Sequence, residues 1–161
     1  MTSREFRGIP SILEVECWGG YLNSDVKLIS LQIFRLPETT ILASLNVLTN
    51  NCMTFGDFSS CVVNRTDNHK SRVRVLVHDL KEGETREYGC TANTVNPLGN
   101  SIYRNWKLLL VRKSKWAINV SVRHPHSHHA LRRHHPHRHH FFCKFAIILS
   151  SSVVLIHFSR V

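Results

Sequence analysis

Residues 86–100 read REYGCTANTVNPLGN. Tyr88, Cys90 and Ala92 are spaced two apart, so in an extended chain their side chains leave the same face. Asn96, Pro97 and Gly99 then supply turn chemistry. The stretch predicts a strand whose tyrosine and cysteine enter a core together, closed by a tight turn. The same period of two recurs upstream. LEVECW (13–18) sets Leu13, Val15 and Cys17 against Glu14, Glu16 and Trp18. LISLQIFRL (28–36) turns Ile29, Leu31 and Ile33 inward, and TILASLNVL (40–48) is a third strand. RVRVLVH (72–78) is the cleanest, with Val73, Val75 and Val77 against Arg72, Arg74, Leu76 and His78. NWKLLLVR (105–112) follows the 96–100 turn. No helical period competes. Short strands parted by Gly19-Gly20, Glu82-Gly83 and Asn96–Asn100 predict an all-β sandwich or barrel.

Composition divides the chain near Lys115. All 11 acidic residues lie at or before Glu87, while six of the 21 Lys and Arg lie in 116–161. The net charge of +10 therefore belongs mostly to the tail. It gives no ground for a nucleic-acid partner. Four cysteines (Cys17, Cys52, Cys61, Cys90) fall in the first part and Cys143 in the tail. No CxxC pair exists, so the even set favours disulfides and an oxidising compartment over zinc. The opening MTSREFRGIPSI has no apolar stretch of the kind a signal peptide needs. The expectation is a fragment, or an incomplete gene model, of an extracellular protein.

The segment HPHSHHALRRHHPHRHH (124–140) holds nine histidines and two prolines. Its composition predicts a largely disordered, low-complexity tail. FAIILSSSVVLIHF (145–158) is apolar over 14 residues, short of the about 20 that span a bilayer. It is expected to associate with a membrane or form a short helix, without docking on the sandwich. The resulting division is an unstructured N-terminus (1–8), a domain (9–113), a basic His-rich tail (114–144) and the hydrophobic segment (145–158).

The run from Val75 and Val77 through Leu80, Glu84, Arg86, Tyr88, Cys90, Ala92 and Asn93 resembles the E–F region of an immunoglobulin-like domain. There the pattern is L-x-I-x-x-V-x-x-x-D-x-G/A-x-Y-x-C-x-A-x-N. The resemblance covers roughly residues 9–113, close to the ~100 residues of that fold. It implies an immunoglobulin-like β-sandwich of two antiparallel sheets. Tyr88 takes the tyrosine-corner position, its ring in the core and its hydroxyl bonded back to upstream backbone. Cys17 is the implied partner of Cys90. Cys52 and Cys61 flank a loop with a turn at Gly56-Asp57, and a local bridge is the economical reading, although four cysteines allow three connectivities. The sequence departs from the pattern at Glu84, at Arg86, and in lacking a tryptophan 11–16 residues after Cys17. Ile33 or Leu31 is left to pack on the disulfide, and Trp18 faces the other way. A different cysteine-bearing β-sandwich is the alternative. KEGETREYGCTAN with an extra loop disulfide is also similar to immunoglobulin domains of molluscan fibrinogen-related lectins of innate immunity, but no fibrinogen-like domain follows.

Catalysis has no support: G-x-S-x-G, H-E-x-x-H, a phosphate loop and a placed carboxylate pair are all missing. Asp79, Glu82, Glu84 and Glu87 match no calcium loop. No cofactor is expected. Asn64-Arg65-Thr66 is a glycosylation sequon in a polar loop, and Asn119-Val120-Ser121 is a weaker one in the tail. The resemblance implies a recognition or adhesion module for a protein or glycan. Binding is expected through outward residues of the C and F–G regions: Gln32, Phe34, Arg35, Asn96, Leu98 and Tyr103. The rival readings are a His-rich metal-binding or anionic-surface-binding tail, and a fragment of a membrane-anchored receptor.

Overall fold

A computed structural model describes residues 2–8, 13–18, 25–56, 58–123, 145–149 and 152–156, the last two segments as backbone. Its strands are β1 (Thr2–Arg7), β2 (Leu13–Trp18), β3 (Lys27–Leu36), β4 (Thr40–Asn46), β5 (Asn51–Thr54) and β6 (Ser59–Val62). They continue with β7 (Arg72–Val77), β8 (Thr85–Val95), β9 (Ser101–Ser114), β10 (Ala117–Arg123), β11 (Phe145–Leu149) and β12 (Ser152–Ile156). One 3₁₀ turn, Asn68–Lys70, precedes β7. Among the described residues every pairing is antiparallel: a seven-stranded sheet runs β1-β10-β9-β8-β3-β4-β5, and a five-stranded sheet runs β12-β11-β2-β7-β6.

The alternating patterns explain how the sheets meet. Leu13, Val15 and Cys17 on β2 and the three valines of β7 share one core with Leu31, Ile33, Tyr88, Cys90, Ala92, Leu108 and Leu110 of the other sheet. Cys17 and Cys90 form a disulfide joining the two sheets across this core, with Cα atoms 6.0 Å apart. Cys52 and Cys61 form the second disulfide, tying β5 to β6. The aromatic missing from β3 is supplied by β9. Trp106 is buried directly opposite Cys90 in register, and Ile33 is opposite on the other side. The core beside the disulfide is therefore more aromatic than the sequence suggested.

Several expected boundaries give way to the observed strands. Residues 2–7, expected without structure, form β1 along β10. The fold does not stop at 113: β9 turns at Lys115-Trp116 into β10, whose Ile118, Val120 and Val122 are buried. AINVSVR keeps the period of two although it lacks acids. Residues 145–149 and 152–156 of the hydrophobic segment pair antiparallel as β11 and β12, and β11 pairs with β2 at Ile147↔Val15 and Ile148↔Glu14. It thus extends the five-stranded sheet instead of standing apart. On β3, Leu28 replaces Ile29 in the inward set. A bulge between Leu28 and Ser30 leaves Ile29 without a partner on β8 and shifts the facing by one residue. The His-rich run 124–140 and Cys143 lie outside the described residues.

Candidate functional site

Direct cross-strand neighbours share a face, so the pairing registers lay out the exposed side of the seven-stranded sheet as rows. One row is Asn105, Thr91, Gln32, Ser44 and Met53, from β9 across to β5. It carries no charge. Its members bond to one another, Thr91 Oγ1 donating to Asn105 Oδ1 at 2.7 Å and Gln32 Nε2 to Ser44 Oγ at 3.3 Å. Above it lies the row Tyr103, Asn93, Ser30 and Asn46, and below it Lys107, Gly89, Phe34 and Ile41. Tyr103 is 63% exposed. Phe34 is half-buried because its ring lies across Gly89, where any Cβ would collide with it. Only glycine leaves room for that ring.

Of the expected contact residues, Gln32, Phe34 and Tyr103 are brought onto this one face. Arg35 is not. It stands opposite Tyr88 on the core-facing side, at the rim, with its guanidinium carbon 5.6 Å from the Tyr88 ring centroid. Asn96 builds the β8–β9 turn: its Oδ1 accepts the Asn100 N–H at 2.8 Å, and its carbonyl accepts from Gly99 N–H at 2.9 Å. Gly99 sits at φ +81°, which a side chain would disfavour. Leu98 crowns that turn, almost wholly exposed. Asn105, Thr91, Lys107 and Met53 complete the face, and sequence reading missed them because register is set by pairing rather than by any single strand.

The turn between β7 and β8 is fastened by Arg86. Its Nη1 donates to the His78 carbonyl at 2.8 Å, its Nη2 to the Asp79 carbonyl at 3.2 Å and its Nε to Glu84 Oε1 at 2.8 Å. Burial works against the guanidinium's charge, but hydrogen bonds with Glu84 and Tyr88 outweigh it and hold Arg86 more basic than usual. The Lys81 backbone N–H, followed by Arg86, holds the Glu84 carboxyl below its ordinary value. Tyr88 is buried with its ring in the core. The bonds into these turn carbonyls come from the arginine, which occupies the position where the family pattern has Gly or Ala.

The outer side of the five-stranded sheet is charged by contrast. Glu16 is buried there, its Oε1 2.6 Å from Arg74 Nε and 3.7 Å from Arg72 Nε, at angles outside hydrogen-bond geometry. Glu14 lies 3.0 Å from Arg74. Burial pushes the Glu14 carboxyl up; Arg74 opposes the shift and Glu16 adds to it. His78 packs against Phe58 as a tilted pair with ring centroids 3.9 Å apart, and His69 sits in the 3₁₀ turn. Asn64 lies in the loop after β6 with its side chain bonded into that loop. Among the described residues, no three His, Cys, Asp or Glu side chains group as metal ligands, and no helix is long and apolar enough to cross a membrane. No family model, curated protein or solved structure matches the chain.

Proposed function

We propose that the chain is an extracellular, non-catalytic recognition module of immunoglobulin-like type that binds a protein or glycan through the outer face of its seven-stranded sheet. The fold part of this reading is supported by the facing of β8 and β3 against β2 and β7. It is supported further by a disulfide spanning 73 residues between the sheets, and by a buried tyrosine two residues before its second cysteine. Two disulfides accord with an oxidising compartment.

One observation carries the binding part. The row Asn105, Thr91, Gln32, Ser44 offers amides and hydroxyls without charge, flanked by Tyr103 on one side and Phe34 with Ile41 on the other. Uncharged donors and acceptors beside aromatic area make a surface that can be desolvated cheaply, as interface cores require. The opposite sheet presents paired guanidinium and carboxylate groups, which cost more to strip of water. The test is to screen the full chain against arrayed glycans and arrayed extracellular protein domains, then repeat with Tyr103→Ala and with Phe34→Ala. Binding that both changes weaken supports the face. Binding unaffected by either, or lost on deleting residues 124–140, assigns recognition elsewhere.

A further inference from the structure

The two sequons occupy unlike places. Asn119 lies in the middle of β10, paired with Glu5 on one side and Val111 on the other. Its Oδ1 accepts from Ser3 Oγ at 2.7 Å, and the Ser121 hydroxyl, buried, turns to Ser3 Oγ instead of to the asparagine. Asn64 lies half-buried in the loop after β6. Its side-chain carbonyl accepts from the Thr66 hydroxyl at 2.8 Å, the Thr66 N–H at 3.1 Å and the Asp67 N–H at 2.9 Å. Three donors converging on one atom identify it as the oxygen. The bonds that shape the loop therefore spare Nδ2, the atom that carries a sugar in an Asn-X-Ser/Thr sequon.

Asn64 also lines a groove of about 500 Å³, together with Trp18, Val62, Val63, Asp67, Lys70 and Arg72. That size lies within the roughly 300–1,000 Å³ of small-ligand sites. Trp18 ends β2 on its outer side, opposite Arg72, which in turn stands opposite Val62. An indole offers an apolar plate for the C–H face of a sugar ring, and the two cations meet its hydroxyls and N-acetyl carbonyl. We propose that Asn64 is N-glycosylated, that Asn119 is not, and that the first sugars of the Asn64 glycan lie in this groove against Trp18. The inference rests on the extracellular reading of the chain and is independent of the recognition face. In the transfer, Asn64 Nδ2 forms an N-glycosidic bond to C1 of the first sugar of a lipid-pyrophosphate-linked oligosaccharide. The C1–O bond to phosphate breaks, the lipid pyrophosphate leaves with its electron pair, and Nδ2 gives up one proton. So placed, the glycan covers the outer side of the five-stranded sheet and leaves the other sheet free.

The test expresses the full chain behind a secretory leader in a eukaryotic host and reads total cell and medium protein, so that a retained variant is still scored. Peptide N-glycosidase should shift the parent by one glycan and leave aspartate at 64 with asparagine at 119. Asn64→Gln and Thr66→Ala should lose the shift, whereas Thr66→Ser and Asn119→Gln should keep it. Removing the glycan should change tryptophan emission and raise acrylamide quenching, and Trp18→Phe should abolish the emission change. An unshifted parent, or a shift that survives Asn64→Gln, overturns the site. A shifted parent whose emission and quenching are unchanged by the enzyme overturns the seat in the groove. Failure of either leaves the recognition proposal standing, because its test uses the opposite face.

Discussion

Arg86→Ala should destabilise the fold more than Tyr88→Phe, reversing the weight that the tyrosine-corner pattern gives to the hydroxyl. The guanidinium makes two 2.8 Å bonds, to the His78 carbonyl and to Glu84, and a longer one to the Asp79 carbonyl. Asp79 itself stands at φ +54°, a left-handed conformation that only a few residue types tolerate and that the arginine clamp helps to hold. Hydrogen bonds to charged groups are worth about 1.5–3 kcal/mol each, so the two short ones set a ceiling near 3–6 kcal/mol. Arg86 is 14% exposed in its side chain and Glu84 31%, so water can replace part of what is lost. With that screening, about 2–3 kcal/mol remains. Tyr88→Phe keeps the ring in the core and removes one hydroxyl bond, worth roughly 1 kcal/mol or less. Arg86→Lys keeps a charge without the fork and should recover less than half of the loss. Urea unfolding at pH 7 with both disulfides intact, followed by tryptophan fluorescence and by far-ultraviolet dichroism, measures all three. A larger loss for Tyr88→Phe than for Arg86→Ala would refute the clamp and return the turn to the tyrosine.

The remaining predictions concern packing, cross-links and titration. Gly89→Ala should cost about 1–3 kcal/mol by displacing the Phe34 ring. In a Phe34→Ala background the same change should cost nothing, and additive effects would show that ring and glycine are independent. By the loop-entropy model the 73-residue bridge is worth roughly 4–5 kcal/mol and the nine-residue one about 2.5–3. Unfolding midpoints should therefore fall further for Cys17→Ala than for Cys52→Ala. Because burial raises the folded-state pKa of Glu14, its contribution favours the fold below the unfolded value and is lost as pH rises through the folded one. The stability of Glu14→Gln relative to the parent should thus grow from pH 4 to pH 7, and a difference that shrinks over that range would show that Arg74 dominates.

Much of the architecture was written in alternation. LEVECW, RVRVLVH and REYGCTAN bury the residues their period of two selects, and the disulfides join the cysteines that resemblance and loop economy paired. What stayed hidden depends on register. Trp106 is 16 positions from Cys90, and nothing in a linear reading makes them neighbours until β8 and β9 pair. Ile29 was misplaced because a bulge is a pairing event, invisible in one strand alone. β10 was missed for a different reason: loss of acids was read as loss of structure, while Ile118, Val120 and Val122 kept alternating. Arg35 was expected among the outward residues of the C region. Yet alternation itself, followed through Ile33, sends it to the core side, where the Tyr88 ring receives it.

Hydroxyl-radical footprinting of the full chain, alone and saturated with a partner found on the arrays, addresses the recognition face directly. Tyr103 and Met53 are at least half exposed on the seven-stranded sheet, and Phe58 and Leu76 are exposed in comparable degree on the other, so each molecule carries its own reference. The partner should slow oxidation of Tyr103, Met53 and Phe34 and leave Phe58 and Leu76 unchanged. Protection of Phe58 and Leu76 with Tyr103 and Met53 still reactive would put recognition on the five-stranded sheet and overturn the proposed face.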